Sequence, residues 1–100
     1  MAFDPREFID SVEWRFAKTM AAYNPHHYVV QRDDGGELFD RFLVYLEHHG
    51  TYRNYGGYPY LYVSVDGFDY WTTFAEGAGT IINRKPSDAA GWDDQAAGSP

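Results

Sequence analysis

The chain predicts an α+β fold of order α-β-α-β-β-β, a mostly antiparallel sheet with two helices packed on one face. Three observations carry that prediction. Two stretches space their apolar residues as helices do, and each has its own terminal signals. Asp66-Gly67 sits between two aromatic and β-branched runs, the pattern of a tight hairpin. A last short run, Thr80-Ile81-Ile82-Asn83-Arg84, reads as one more strand.

The first helix starts at Asp4, which suits an N-cap, with Pro5 at the first helical position and Glu7 completing a capping box. Phe3 and Phe8 are placed for a hydrophobic staple. Phe8, Ile9, Val12, Phe16, Met20 and Tyr23 continue at helical spacing, so the helix is expected to run to Asn24-Pro25. Tyr28-Val29-Val30-Gln31-Arg32 follows as a strand, and Asp33-Asp34-Gly35-Gly36 as a turn. A second helix is expected from Glu37 to His49, with Gly50 as its C′ residue. Leu38, Phe39, Phe42, Leu43, Tyr45 and Leu46 form its apolar face, and Glu37 can pair with Arg41.

Tyr52 to Tyr62 then forms a Tyr/Gly-rich stretch that runs into the hairpin Tyr58–Val65 and Phe68–Ala75. A two-residue loop sets Val65 opposite Phe68, Val63 opposite Tyr70 and Leu61 opposite Thr72 on one face. Tyr62 then opposes Trp71, and Tyr60 opposes Thr73, on the other. The first set suits a core under helices. The second leaves Tyr60, Tyr62 and Trp71 on the far side of the sheet.

Residues 1–84 are expected to form one domain, and residues 85–100 read as a disordered acidic tail in which Trp92, within Gly91-Trp92-Asp93-Asp94, is a short docking motif or, on the blander and favoured reading, incidental. The chain has no cysteine, which excludes disulfides, Cys-ligated metals and thiol catalysis. It shows no leader and no apolar run near the roughly 20 residues of a membrane span, so a soluble cytoplasmic protein without membrane contact is expected. Net charge is −7, of which residues 1–84 carry −5 from twelve acidic and seven basic residues. Nucleic-acid binders draw affinity from a basic excess, so the composition argues against direct DNA binding.

Six of the nine tyrosines lie between residues 52 and 70. A small core does not need that many phenols, because each buried hydroxyl must find a partner. Tyr, Arg, Asn and Gly together suit recognition surfaces. The leading expectation is therefore a small acidic binding protein without catalysis or cofactor. It engages a protein partner through Tyr52, Arg53, Tyr55, Tyr60, Tyr62 and Trp71. The bland alternatives are cross-strand aromatic pairs that only stabilise the sheet, or a tail that covers them. A homodimer burying the aromatic face against its own copy is a further reading.

His26-His27 and His48-His49 do not make a metal site, because adjacent side chains diverge and HxH or HExxH spacing is missing. Asp33, Asp34, Glu37, Asp40 and Glu47 could form an acidic face that mimics nucleic acid, or an ordinary solvated one. His26, Tyr28 and Arg32 alternate on one strand face, and Asn83-Arg84 could reach the same edge. With Tyr70 they form a candidate small-ligand or nucleotide site, with His26 as acid or base and the arginines as anion holders. No nucleophile motif or phosphate loop accompanies it.

Pro25-His26-His27-Tyr28-Val29-Val30-Gln31-Arg32, Tyr70-Trp71-Thr72 and Thr80-Ile81-Ile82-Asn83-Arg84 resemble a group of short uncharacterised proteins of bacteria and their phages. The resemblance spans about residues 25–84, leaving out the first helix and the tail, and brings no known activity. It implies that His26, Tyr28, Arg32, Tyr70, Trp71, Asn83 and Arg84 act together. The small size, acidity and Tyr-rich surface are also similar in style to phage inhibitors of host defence. The finer expectation is thus an inhibitor or modulator of a nucleic-acid-processing or defence machine.

Overall fold

The computed structural model describes residues 3–17, 26–55, 57–73, 81–89 and 92. They form two helices and a six-stranded antiparallel sheet: α1 (Pro5–Ile9), β1 (Arg15–Phe16), β2 (Tyr28–Gln31), α2 (Arg32–His49), β3 (Thr51–Tyr55), β4 (Tyr58–Val65), β5 (Phe68–Thr73) and β6 (Ile81–Pro86). The strand order across the sheet is β1-β2-β6-β5-β4-β3. The expected α+β class and order of elements are present, with β1 and β3 as two further strands.

The start of α1 forms as its sequence dictates. The Asp4 carboxylate accepts from the Arg6 amide at 3.0 Å, and Glu7 reaches back to the Asp4 amide at 3.4 Å. The helix does not run to residue 24 as its apolar stripe implied; it ends at Ile9. The Ser11 amide and hydroxyl both donate to the Phe8 carbonyl, and the Trp14 indole N–H donates to the Ile9 carbonyl. Side chains thus take over acceptors that the next helical turn would have used. The turn also brings Trp14 edge-on to Phe8 and against Tyr70, packing that a continued helix would forfeit. The Met20 and Tyr23 part of that stripe lies outside the described residues.

In α2 the segment read as a turn is itself helical from Arg32, and Gly36 (φ 58°, ψ −142°) breaks the helix before Glu37. Phe39, Phe42 and Leu46 are buried from this helix. Arg32 pairs with Asp40, and the Arg41 guanidinium lies over the Phe3 ring instead of forming the expected pair with Glu37. Gly50 ends α2 but is extended (φ −80°, ψ 160°), not left-handed. Its glycine answers a close approach: a Cβ there would lie 2.6 Å from the Leu46 carbonyl oxygen and 2.8 Å from Leu61 Cγ.

The β4–β5 hairpin has the expected register, with Val65 opposite Phe68, Val63 opposite Tyr70 and Tyr62 opposite Trp71. Asp66 (φ 52°) and Gly67 (φ 85°) both take positive φ, as the primed turn between twisted strands requires. The Tyr/Gly stretch is not a loop. Thr51–Tyr55 is β3, paired with β4 so that Tyr55 faces Tyr58 and Arg53 faces Tyr60. Aromatic and β-branched residues suit a strand, and Gly56-Gly57 is a two-residue hairpin signal.

Phe8 from α1, Phe39, Phe42 and Leu46 from α2, and Val30, Val63, Val65, Tyr70 and Ile82 from the sheet form the main core. Each fully buried Phe contributes about 1.5–3 kcal/mol of apolar transfer. Both helices therefore lie against one sheet face. Described structure continues past residue 84. Lys85 and Pro86 belong to β6, residues 87–89 turn back over the hairpin, and Trp92 is buried at 2% exposure. No described helix is long and apolar enough to cross a membrane.

Candidate functional site

Strand pairing assigns each side chain to a sheet face. Tyr28, Arg84, Tyr70 and Val63 stand in one row on the helix side. Val29, Asn83, Trp71 and Tyr62 form the matching row on the far side. Arg53, Tyr55 and Tyr60 join the far side through β3 and β4, whereas Tyr52 pairs with Leu61 and falls on the helix side. Five of the six residues expected to bind a partner thus share one face, and Tyr52 does not.

That face is covered. The Trp92 indole packs on Trp71 (ring centroids 4.9 Å), Tyr62 (5.1 Å) and Tyr55 (5.7 Å). Trp71 and Tyr55 are buried as a result. Trp92, read from sequence as incidental, is the centre of a second small core. The Arg53 guanidinium lies over Trp92 at 5.1 Å and over Tyr62 at 5.4 Å.

Below the indole lies a buried charged group. Asp69 Oδ1 accepts from the Ser64 hydroxyl (2.6 Å) and the Ser87 hydroxyl (2.7 Å). Its Oδ2 accepts from Trp92 Nε1 (2.8 Å) and from Lys85 Nζ (3.4 Å). Four donors fill the four lone-pair positions of a carboxylate. Lys85 Nζ also donates to the carbonyls of Ala89 (2.9 Å) and Pro86 (3.3 Å). Three acceptors match the three protons of an ammonium, so the geometry is that of an ion pair with both members charged. Both side chains are essentially inaccessible. Burial by itself would raise the Asp69 pKa, but the hydrogen bonds from Ser64, Ser87 and Trp92, with the Lys85 charge, hold it below the usual range. Burial pushes Lys85 down, against the pull of Asp69.

Beside this pair sits His27, also buried. Its Nε2 lies 2.8 Å from Asn83 Oδ1, and the Asn83 amide donates to the Trp71 carbonyl. Tyr55 Oη lies 3.5 Å from Nδ1. That network assigns the proton to Nε2, leaving Nδ1 to accept. Burial lowers the His27 pKa, the Asn83 hydrogen bond opposes this, and the Lys85 charge adds to it. A lowered folded pKa means the native state favours neutral His27. The unfolded chain takes up a proton as pH falls below about 6.5, so stability is intact above that value and declines below it. Asp69 adds a loss in the same direction at lower pH, as its carboxylate protonates. The urea midpoint is expected to fall between pH 7.5 and pH 5, and His27→Gln is expected to shrink that difference. An equal fall in the variant would mean that other groups carry it.

The candidate ligand site is divided. Tyr28, Tyr70 and Arg84 stay together on the helix side, and Asn83 points to the other face. His26 is exposed, and Arg32 has left the strand for α2, where Asp40 holds it at 2.8 Å. The seven residues that the bacterial and phage resemblance groups therefore do not meet in one place. Among the described residues, no group of three His, Asp or Glu is arranged to hold a metal ion.

Sequence reasoning gave no role to Ser64, Asp69, Lys85 and Ser87, and it set His27 and Trp92 aside. The hairpin register held a signal for two of them, since it sets Ser64 opposite Asp69 on the Tyr62 face. What remains exposed is different. Tyr52 is 71% and Tyr58 68% accessible, the largest values among the large apolar side chains described. Both belong to the β3–β4 hairpin, and β3 is the end strand of the sheet. No known protein family, curated protein or solved structure matches the chain.

Proposed function

We propose that the protein is a small acidic binding module without catalysis, and that an extended segment of a protein partner pairs along the outer edge of β3. The observation that carries this reading is the β3 edge itself. Among the described residues no strand covers it, and Tyr52 and Tyr58 stand exposed on its two faces. An edge strand offers unpaired backbone donors and acceptors, and flanking tyrosines add area at small entropic cost. β3 has no Pro and no Lys, and its one charged side chain, Arg53, is drawn over the rings of Tyr62 and Trp92. Asp69, Lys85 and His27, the clustered titratable groups of the far face, are buried and hydrogen-bonded among themselves and their neighbours, which supports a structural role for them over catalysis.

A second copy is a poor occupant. Symmetric antiparallel pairing centred on β3 would set Arg53 against Arg53, and each chain carries −7. The acidic balance favours a partner with a basic surface, the kind that handles nucleic acid. Inhibition or modulation of such a machine is the finer form of the proposal. Tyr52→Ala/Tyr58→Ala is expected to keep the melting temperature and to weaken partner capture about tenfold or more. Equal capture by the folded double variant would contradict the reading.

One observation favours a second, smaller reading. The Arg84 guanidinium carbon lies 3.9 Å from the Phe68 ring centroid, with Trp14 and Tyr70 also against it. No hydrogen bond joins Arg84 to a described acceptor, nor the hydroxyl of Tyr70 to a described partner. A guanidinium held on aromatic planes with no acceptor among the described residues suits a carboxylate or phosphate. If it serves as an anion site, inorganic phosphate or pyrophosphate at millimolar concentration raises the melting temperature, and Arg84→Met removes the rise. No rise in the wild-type protein would dismiss it.

A further inference from the structure

The two faces of the sheet are closed in unlike ways. Two helices cover the first with a continuous apolar layer. Among the described residues, one indole covers the second. Trp92 is held there by its side chain: the Nε1–H bond to Asp69 and the ring contacts with Trp71, Tyr62 and Tyr55. The last described backbone groups tied down before it are those of Ala89, whose amide meets the Pro86 carbonyl and whose carbonyl meets Lys85. The described groups that contact the ring all precede that point in the chain. The floor of this pocket is Trp71, its walls are Tyr55 and Tyr62, and Asp69 supplies an acceptor for an indole N–H. Two cations flank the ring, Arg53 at 5.1 Å and Lys85 at 5.4 Å. In the sequence, Trp92 is followed by Asp93 and Asp94.

We infer that this pocket is a tryptophan-docking site, filled in cis by Trp92 and taken in trans by a tryptophan in an acidic segment of a partner protein. An indole is the ring that fits, because its one donor meets Asp69 while its face meets Arg53 and Lys85. Acidic neighbours fit the half-buried Arg53 guanidinium, since Lys85 is enclosed and its three protons are taken. The site is separate from the β3 edge and does not depend on Tyr52 or Tyr58. Exchange at the pocket exposes Trp71 and Tyr55, so occupancy of the far face is tied to where the tail lies.

The test uses the full chain and a labelled peptide, Ala-Gly-Trp-Asp-Asp-Gln, with fluorescence anisotropy as readout. Trp92→Gly is expected to bind it at least tenfold more tightly than the wild type, whose own Trp92 competes. The Trp-to-Ala peptide is expected not to bind, and the peptide with both Asp changed to Asn to bind several-fold less well. If Trp92→Gly is unfolded alone, the Trp peptide is expected to restore a cooperative unfolding transition. Trp92→Phe keeps a ring but loses the bond to Asp69, and its peptide affinity is expected to fall between the other two. Adding Tyr52→Ala/Tyr58→Ala to Trp92→Gly should leave peptide binding unchanged, so failure of the β3 reading stays distinguishable. No saturable binding to any Trp92 variant would overturn the inference, as would equal binding of the Ala peptide. A wild-type dimer that disappears in Trp92→Gly would also overturn it, by making a second copy the occupant.

Discussion

Asp69→Ala is expected to cost about 3–5 kcal/mol, the range for breaking a buried ion pair from one side. The variant strands a buried ammonium at Lys85 and leaves the hydroxyls of Ser64 and Ser87 and the Trp92 indole N–H without their acceptor. A domain of this size is stable by roughly 5–15 kcal/mol, so the loss is a large share of the whole. Lys85→Met is expected to cost less. It fills the same space with an apolar chain and leaves Asp69 with three of its four donors. Urea unfolding of both variants measures this, with the slope against denaturant unchanged. An Asp69→Ala variant within about 1 kcal/mol of wild type would mean that the pair is not buried as described.

Trp92→Ala is the second large effect, at about 3–5 kcal/mol, the cost of truncating a buried Trp. The truncation removes the ring that packs on Trp71, Tyr62 and Tyr55, together with the bond to Asp69. A disordered, incidental tail residue would cost nothing, so a docked tail and a free one differ by most of that energy. Equilibrium unfolding separates them, and near-ultraviolet circular dichroism should lose intensity as the aromatic cluster opens. A variant as stable as the wild type would return Trp92 to the solvent.

The hairpin shows what was legible. Asp66-Gly67 set the register, the register assigned faces, and the faces predicted Tyr62 opposite Trp71. That chain of steps is local, and local signals carry it. Residues 10–17 show the opposite case. The apolar stripe was real, but the first helix stops where Ser11 and Trp14 hydrogen-bond back to Phe8 and Ile9 and Trp14 meets Tyr70, a residue far away in sequence. Periodicity cannot report such a meeting.

The site was half legible for the same reason. The aromatic far face followed from alternation along β4 and β5. Its cover did not, because Trp92 lies in a stretch without periodicity and docks by a single side chain. Lys85 escaped notice because a lysine at the edge of an acidic tail reads as solvated. Only the pairing with Asp69 across β5 and β6 places it inside. The far face was expected to meet a partner through Trp71. With Trp71 buried, the exposed tyrosines at the β3 edge become the better candidates.

Amide hydrogen exchange on the protein, alone and bound to its captured partner, tests the central claim most directly. A partner segment added to the sheet should slow exchange in residues 51–55, the strand whose outer edge no described strand covers. Slowed exchange there, lost together with binding in Tyr52→Ala/Tyr58→Ala, is the predicted result. Full partner occupancy with exchange in β3 unchanged would contradict the account.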